Sequence, residues 1–268
     1  MMRLVLIGNP VEHSLSPAMH NAALECLGMD KKFRFESCRV TAAGLEAFMA
    51  SVRAGGIAGL SVTMPHKTSA IAHLDNLSED AKRAGAANTI IVRGTVLEGH
   101  NTDGIGCLRA LEDAGAKIRG SDVMLLGAGG AARAAAFALA SCGPKSLTIL
   151  NRTLDKAVEL AGSVGEFYSI EAKGCNSDFI GNTKPDIFVN ATPGKQVLPD
   201  GFLRRGMTVL DMAYGPSETE LIRQAREAGA RAIPGTEMLL HQGAEQFRLF
   251  TGRDAPLDVM RRAVGGIP

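Results

Sequence analysis

The sequence predicts an α/β protein of two domains with mostly parallel sheets. Short apolar runs alternate with helix-like stretches along the whole chain, which is the pattern of repeated βα units. Thirty-one glycines among 268 residues indicate many tight turns between these elements. A new βαβ pattern begins near residue 102, which predicts a domain boundary there. An apolar fraction of 46% is enough to build a full hydrophobic core.

The first domain is predicted to begin with a strand at Arg3–Ile7 and a helix that has Ser16 as its N-cap and Pro17 at its first position. The same alternation predicts the remaining elements up to residue 115. They are a strand at Phe33–Val40, a helix at Leu45–Arg53, a strand at Gly59–Thr63, a helix that starts at Pro65-His66-Lys67, a hairpin of Asn88–Val92 and Val96–His100, and a helix from Thr102 to Gly115.

The second domain is predicted to continue with a strand that starts at Val123 and leads into a glycine-rich turn and an alanine-rich helix. Further βα units follow this first one. Their strands are predicted at Leu147–Leu150, Asp186–Asn190 and Met207–Met212. From Glu237 onward the chain is predicted to be helical.

Charge and composition exclude several classes of partner. Twenty-nine basic and 28 acidic residues leave a formal net charge of +1, so no basic surface for nucleic acid or an anionic membrane is expected.

The longest stretch without a charged side chain, residues 54–66, is shorter than the roughly 20 residues of a transmembrane helix. The apolar run Leu4–Ile7 is too short for a signal peptide. Five cysteines without a C-x-x-C pair favour a reduced, cytoplasmic location.

The turn after the strand at Val123 has the pattern of a dinucleotide-binding motif. Gly127, Gly129 and Ala132 form G-x-G-x-x-A between a strand and a helix, which is the context that this motif requires. Unpaired N–H groups at the start of the helix would attract the phosphates of a cofactor. An ordinary βα turn is the alternative, and the order of strand, turn and helix disfavours it. The residues predicted to contact the cofactor here are Gly127, Ala128, Gly129, Gly130 and Ala131.

The end of the next strand predicts which dinucleotide binds. NAD sites usually carry Asp or Glu about 20 residues after the glycine-rich turn, where the carboxylate accepts hydrogen bonds from the ribose hydroxyls. Here Asn151, Arg152 and Thr153 follow the strand, and Lys156 lies one turn later. An arginine can bind a 2′-phosphate through two hydrogen bonds, whereas a carboxylate would repel it. The sequence therefore favours NADP(H), and a solvated arginine at a strand end is the alternative.

Three polar clusters in the first domain point to chemistry. Ser14 and Ser16 place two hydroxyls at a helix start, where an anion is favoured, and an N-cap role for Ser16 is the alternative. Lys67 is predicted in the first turn of a helix, which is the unfavourable end for a cation. Asp103 follows where the two predicted domains meet. A lysine and an aspartate near a nicotinamide suit the interconversion of an alcohol and a ketone, and a surface lysine and a helix-capping aspartate are the structural alternative.

Several motifs follow one another along nearly the whole chain. They are Ile7-Gly8-Asn9-Pro10, His13–Pro17, Ser61–Lys67, Ala87-Asn88-Thr89, Asn101–Gly104, Gly127–Ala132, Asn151-Arg152-Thr153, Asn190-Ala191-Thr192, Met238–Gln242 and Pro256–Arg261. In this order they resemble the shikimate dehydrogenase family. So many separate motifs in register are hard to obtain by chance.

The resemblance implies reversible reduction of 3-dehydroshikimate to shikimate with NADPH, on the pathway to aromatic amino acids. It implies a substrate-binding domain at residues 1–101, completed by C-terminal helices at residues 237–268. An NADP-binding Rossmann domain is implied at residues 102–236, with the active site in the cleft between the domains. The implied partners are a small-molecule substrate and the cofactor, and the protein is expected to be a monomer or homodimer.

The resemblance also implies roles for individual residues. Ser14 and Ser16 would hold the substrate carboxylate, with Tyr214 nearby. Lys67 would be the proton donor and acceptor, with Asp103 as its charged partner. The residues implied to contact the ring hydroxyls are Thr63, Lys67, Asn88, Asp103 and Gln242. The further residues implied at the cofactor are Thr192, Met212, Gly235 and Met238, the last three near the nicotinamide.

Two positions depart from the family pattern. Ser61 stands where many members have asparagine, so its contact with the substrate is expected to be shorter. Lys156 stands where some members have a second arginine, so the binding of the 2′-phosphate is expected to be looser. The alternatives are a quinate/shikimate dehydrogenase, against which Arg152 argues, and a non-catalytic metabolite-sensing homologue, against which Lys67 and Asp103 argue. A methylenetetrahydrofolate dehydrogenase has a related two-domain plan, but the paired serines fit it poorly. No metal site is predicted, because the histidines and cysteines show no ligand spacing.

Overall fold

The computed structural model describes residues 1–194, 198–215 and 217–265 and contains two compact units. Unit 1 consists of Met1–Gly106 and Leu239–Pro268, and unit 2 consists of Cys107–Met238. Each unit is built around a six-stranded sheet with helices on its faces. The predicted α/β class with parallel strands is therefore confirmed.

The elements of the first part of the chain alternate between strand and helix. In chain order they are β1 (Met2–Gly8), α1 (Ser16–Cys26), β2 (Phe33–Arg39), α2 (Leu45–Arg53), β3 (Ile57–Val62), β4 (Asn76–Leu77), α3 (Glu79–Ala84), β5 (Thr89–Arg93), β6 (Val96–His100) and α4 (Asp103–Asp113). Short 3-10 helices lie at Ala42–Gly44 and Ser69–His73.

The second part of the chain repeats the βα pattern and ends in two helices. In chain order its elements are β7 (Asp122–Leu126), α5 (Gly130–Ser141), β8 (Ser146–Asn151), α6 (Leu154–Tyr168), β9 (Glu171–Asn176), β10 (Ile187–Asn190), β11 (Thr208–Asp211), α7 (Glu220–Glu227), β12 (Arg231–Ile233), α8 (Gly235–Thr251) and α9 (Leu257–Ala263). A third 3-10 helix lies at Ser177–Asn182. In the described ranges, none of the helices combines the length and the apolar character needed to cross a membrane.

The sheet of unit 1 is mixed and has the strand order β2-β1-β3-β5-β6-β4. β1 pairs in parallel with β2 and β3, and β5 runs antiparallel to both β3 and β6. Successive side chains of β1 point to opposite faces: Leu4 and Leu6 pack with α1, α8 and α9, whereas Val5 and Ile7 pack with α2. Because both faces of the sheet are covered, the buried part of β1, Leu4 to Ile7, is a continuous apolar run.

The sheet of unit 2 is parallel throughout and has the order β12-β11-β10-β7-β8-β9. The direction of strand addition reverses between β7 and β10, as in the Rossmann arrangement. Val123 and Leu125 pack on one face of this sheet, and Met124 and Leu126 pack on the other. In such sheets, ligands bind at the carboxyl ends of the strands beside the reversal point.

The prediction of a helix that starts at residues 65–67 is wrong. Lys67 lies in a turn, and the next helical segment is the 3-10 helix at Ser69–His73. The carbonyl oxygen of Lys67 accepts a hydrogen bond from the N–H of Ala87 at 2.8 Å. Ala87 lies just before β5, so this carbonyl does not form the bond to a following turn that a helix would require. Lys67 therefore does not lie in the first turn of a helix, and the predicted conflict with a helix dipole does not occur.

His20 lies in the core of unit 1 and is fully buried. Its ring stacks on Phe35, with 4.2 Å between the ring centroids and 2° between the planes. Burial lowers the pKa of His20 from 6.5 to about 3, and the side chain of Gln246 has a smaller, opposite effect without forming a hydrogen bond of good geometry to the ring. The folded protein therefore keeps this imidazole neutral over a pH range in which the unfolded chain protonates it.

We expect the free energy of unfolding to decrease as the pH falls below 6.5. Below that pH the unfolded state binds a proton at His20, whereas the folded state binds one only near pH 3. This residue alone should remove about 2 kcal/mol of stability between pH 7 and pH 5. Urea denaturation of His20→Phe, which keeps an aromatic ring but no titratable group, should show a flatter pH dependence. The exposed His13→Phe is the control. Equal pH dependence of native protein and His20→Phe would contradict the prediction.

Candidate active site

The polar motifs of unit 1 meet at one edge of its sheet. β1 and β3 are parallel, so the loops that follow Gly8 and Val62 leave from the same edge. β5 is antiparallel to β3 and therefore starts at this edge, directly after Asn88, while β6 ends there at His100. The topology thus brings together segments that are far apart in sequence, and α4 begins beside them.

Lys67 and Asp103 form an ion pair at this edge. The Lys67 Nζ lies 2.5 Å from the Asp103 Oδ2, and the two side chains are 20% and 4% exposed. Asp103 is the first residue of α4, where the helix dipole favours a carboxylate. Its backbone N–H donates to the Asn101 Oδ1 at 3.0 Å, which fixes the start of the helix. The carboxylate is thereby held against the lysine, a charge pair that is largely shielded from water.

Asn88 holds the other oxygen of the aspartate. Its Nδ2 donates to the Asp103 Oδ1 and to the Thr102 Oγ1, both at 2.9 Å, while its Oδ1 accepts the N–H of Thr102 and the hydroxyl of Thr89, both at 2.8 Å. The backbone N–H of Thr102 can only donate, so it determines which way the amide of Asn88 points. The Oε1 of Gln242 lies 3.4 Å from both the Asn88 Nδ2 and the Thr102 Oγ1. Both donors and the acceptor of Asn88 are therefore used within the protein.

The turn that carries Lys67 is anchored by its neighbour. His66 is buried, and its Nε2 lies 2.6 Å from the carbonyl oxygen of Val40. Because a carbonyl oxygen can only accept, the Nε2 is the donor of this hydrogen bond. The N–H of His66 donates to the carbonyl of Thr63 at 2.9 Å. These two bonds fix the backbone on the N-terminal side of Lys67.

Ser14 and Ser16 lie together at the start of α1. The helix begins at Ser16, one residue earlier than an N-cap role for this serine requires, and the capping position is held by Leu15 without a side-chain hydrogen bond. The predicted N-cap role of Ser16 is therefore wrong. Instead, the N–H of Ser16 donates to the Oγ of Ser14 at 3.3 Å. Among the described residues, no hydrogen bond connects these serines or the side chain of Thr63 to the Lys67–Asp103 pair.

Sequence reasoning missed one residue of this cluster and underestimated another. Gln246, which is 2% exposed, accepts a hydrogen bond from the hydroxyl of Ser61 at 2.7 Å and donates to the carbonyl of Asn88 at 3.1 Å. A spacing of four residues from Gln242 places it on the same face of α8, which is the signal that could have found it. Thr102, within a quoted motif, supplies two of the bonds that hold Asn88.

The glycine-rich turn of unit 2 follows β7. Gly127 has φ +123°, and a methyl group there would lie 3.1 Å from the carbonyl oxygen of Ala191 and 3.2 Å from the Thr192 Cγ2. At Gly129 no atom lies within 4 Å of such a group, so the backbone is open to a ligand. α5 begins at Gly130 without a side-chain cap, which leaves its first N–H groups free for an anion. Ala128 lies in this turn, and Ala131 is the second residue of α5.

The end of β8 carries two cations. Arg152 and Lys156 are exposed, and neither side chain forms an ion pair or hydrogen bond with another described residue. The Asn151 Nδ2 donates to the carbonyl of Thr153 at 2.9 Å and shapes the turn between β8 and α6. The hydroxyl of Thr153 makes no cap bond to α6. These side chains are thus available to a phosphate group.

The other residues predicted at the cofactor lie after β10 and β11 and at the start of α8. Thr192 is held by Asn190, whose Oδ1 accepts both its N–H at 3.1 Å and its hydroxyl at 2.7 Å. Met212 and Met238 pack in or against the hydrophobic core of unit 2. Packing in this core explains where the two methionines lie, and their contact with the nicotinamide stays a prediction.

Gly235 and Tyr214 are placed differently from these methionines. A methyl group at Gly235 would lie 2.4 Å from the carbonyl oxygen of Ala213, so only glycine allows the start of α8 to approach the segment after β11 this closely. Tyr214, in that same segment, is 39% exposed. Among the described residues, no group of three or more His, Cys, Asp or Glu side chains could hold a metal ion.

A Rossmann sheet with a glycine-rich turn and free cations, together with a shielded Lys–Asp pair, is typical of nucleotide-dependent dehydrogenases. Residues 6–90 match the family model described as the shikimate dehydrogenase substrate binding domain, residues 109–198 match shikimate / quinate 5-dehydrogenase, and residues 235–264 match the shikimate 5'-dehydrogenase C-terminal domain. The chain belongs to the shikimate dehydrogenase family.

Individual relatives cover nearly the whole chain. Shikimate dehydrogenase (NADP(+)) of Methanothermobacter thermautotrophicus is 41% identical over 97% of this chain and 94% of its own length. The crystal structure of shikimate 5-dehydrogenase from Thermus thermophilus in complex with NADP(H) and shikimate has a TM-score of 0.88 and 35% identity, covering 99% of each chain. Quinate dehydrogenase from Corynebacterium glutamicum in complex with NAD has a TM-score of 0.88 and 31% identity, covering 98% of both chains.

Proposed function

We infer that this protein catalyses the reversible NADP-dependent reduction of 3-dehydroshikimate to shikimate. The observation that carries the inference is the 2.5 Å contact between the Lys67 Nζ and the Asp103 Oδ2, in a chain whose relatives bear the name of this enzyme. The assay that tests it follows the absorbance of the reduced nicotinamide, with shikimate and quinate each combined with NADP and NAD. Binding of shikimate without turnover would instead support a metabolite-sensing homologue.

Unit 1 is the proposed substrate-binding body. Ser14 and Ser16 offer hydroxyls at the start of α1 for the substrate carboxylate. Contacts to the ring hydroxyls are proposed for the residues of the ion-pair cluster. Because the amide of Asn88 is fully hydrogen-bonded within the protein, a substrate hydroxyl there must share an acceptor or replace an internal bond. The residues proposed to contact the ring are Thr63, Lys67, Asn88, Asp103 and Gln242, and the proposed substrate-binding set also includes Tyr214.

Unit 2 is the proposed NADP-binding body, and its residues fit this cofactor. The close approach at Gly127 and the open backbone at Gly129 leave room for a pyrophosphate at the start of α5. Arg152 and Lys156, whose charged side chains form no ion pair or hydrogen bond in the described ranges, suit the 2′-phosphate. When bound, NADPH supplies the hydride for the carbonyl carbon. Asn151, Thr153, Thr192, Met212, Gly235 and Met238 complete the proposed contacts.

Lys67 is the proposed acid and base. In the reduction its Nζ gives a proton to the carbonyl oxygen of the substrate, so that the oxygen becomes the new hydroxyl. In the reverse direction the neutral amine takes that proton back. Asp103 keeps the Nζ in place through the ion pair. The cytoplasmic location and the monomeric or homodimeric state stay predictions.

Replacing Arg152 should change the choice of cofactor. We expect Arg152→Ala to raise the Michaelis constant for NADP by one to two powers of ten, because a charge-assisted hydrogen bond contributes about 1.5–3 kcal/mol. The Michaelis constant for NAD should stay nearly the same. Arg119→Ala, which removes an exposed cation before β7 at the opposite edge of the sheet, is the control. Equal efficiency of the native protein with NADP and NAD would contradict the predicted preference for NADP.

Shikimate should be strongly preferred over quinate, and the dual-specificity enzyme is the second candidate function. The carboxylate of shikimate leaves a trigonal ring carbon, whereas that of quinate leaves a tetrahedral carbon that also carries a hydroxyl. Ser14 and Ser16 have short side chains with little reach to follow a displaced carboxylate, and a buried unpaired hydroxyl costs about 1–3 kcal/mol. Steady-state kinetics with saturating NADP measures the preference. Efficiencies within tenfold of each other would place the protein in the dual-specificity group.

A further inference from the structure

Gln246 connects helix α8 to the strand that leads into the ion-pair cluster. Its side chain is buried between Ser61 on β3 and the carbonyl of Asn88, just before β5. The carbonyl of Asn88 can only accept, so the Nε2 of Gln246 must face it. The Oε1 then faces Ser61, whose hydroxyl donates at 2.7 Å. The two neighbours thus specify one orientation of the amide.

Asn88 is thereby held from two sides. Its carbonyl accepts the N–H of Val62 at 2.7 Å in addition to the Nε2 of Gln246 at 3.1 Å. Its side chain donates to the Asp103 Oδ1 at 2.9 Å, and the other oxygen of that carboxylate contacts Lys67 at 2.5 Å. A continuous series of hydrogen bonds therefore runs from α8 through Asn88 to the ion pair.

We propose that Gln246 is a positioning residue, which holds Asn88, and through Asn88 the Asp103 carboxylate, in the place where it orients Lys67. The proposal rests on the function proposed above. Gln246 touches neither Lys67 nor Asp103, so it acts on the reaction only through Asn88. Ser61 supports this role because its hydroxyl fixes the orientation of the Gln246 amide.

The test compares two substitutions of Gln246. Gln246→Met keeps the length of the side chain but removes both hydrogen bonds. Gln246→Glu keeps an acceptor for Ser61 but sets a carboxylate oxygen against the carbonyl of Asn88. Both variants should lose kcat for shikimate by roughly tenfold, the change expected for one or two lost hydrogen bonds. The Michaelis constant for shikimate should rise less than kcat falls, because the proposed contacts of Ser14 and Ser16 with the carboxylate, and the ring contacts other than Asn88, are untouched.

A matched control separates positioning from simple loss of stability. Phe247→Leu removes apolar contacts in the core beside Gln246 on the same helix and touches no hydrogen bond of the cluster. We expect it to lower the free energy of unfolding and to leave kcat nearly unchanged. A Gln246→Met enzyme with kcat within twofold of the native value, or a Phe247→Leu enzyme with an equal loss of kcat, would overturn the proposal.

A structural measurement does not depend on the reaction. A crystal structure of Gln246→Met should show the Asn88 Nδ2 moved out of hydrogen-bonding distance of the Asp103 Oδ1, which are 2.9 Å apart in the native protein. An unchanged distance would contradict the positioning role. If the native enzyme does not oxidise shikimate, the proposed function fails, while the displacement of Asn88 can still be observed.

Discussion

The Lys67→Ala variant is expected to lose turnover by roughly 10²–10⁴-fold, which is the usual cost of removing a general acid. The loss should appear mainly in kcat, because proton transfer occurs in the transition state, while the substrate carboxylate keeps its own contacts. Steady-state kinetics in both directions measures the effect. Circular dichroism and urea denaturation verify that the variant folds, which matters because Asp103 loses its partner while buried.

Two companion variants assign the roles within the pair. Asp103→Asn keeps a hydrogen-bonding group beside Lys67 but removes the negative charge, so it should reduce turnover less than Lys67→Ala does. A larger effect of Asp103→Asn on the Michaelis constant would show that the carboxylate mainly binds a substrate hydroxyl. Lys82→Ala, which breaks an exposed ion pair with Glu79 in the same unit, should leave the kinetics unchanged. Near-normal turnover in a folded Lys67→Ala enzyme would mean that Lys67 is not the acid.

The Gly127→Ala variant is expected to lose most of its productive binding of NADP. The backbone at Gly127 has φ +123°, which costs an L-residue about 1–3 kcal/mol, and the added methyl group would lie 3.1 Å from the carbonyl of Ala191. The turn must therefore shift, and a displacement of about 1 Å in a binding site can cost roughly a hundredfold in rate. We expect a loss of that order in kcat/KM for NADP.

Gly120→Ala is the matched control for this substitution. Gly120 also has a positive φ, +74°, in the same unit, but a methyl group there meets no atom within 4 Å. Both variants should lose stability through backbone strain, and only Gly127→Ala should lose affinity for NADP. If the two variants bind NADP equally well, the glycine-rich turn is not the cofactor site.

Much of the fold could be predicted because its signals are local. The core strands β1, β7 and β8 are apolar runs, and the helix at Leu45–Arg53 has the predicted bounds. The strands β4, β9 and β12 were missed. β9, with the sequence EAKGCN, buries only Cys175 and lies at the edge of its sheet, so its pairing depends on β8 and not on its own apolar pattern.

Sequence by itself determined which residue types were available: a Lys, an Asp, two serines and a glycine-rich turn in the order of a known family. It did not determine their distances, because the 36 positions that separate Lys67 from Asp103 and the 154 that separate Asn88 from Gln242 are bridged only when sheet and helix pack. The same packing decided that Lys67 lies in a turn and that Gln246 joins the cluster. Local patterns report burial and backbone preference, whereas contacts between distant segments depend on the register and topology of the whole sheet.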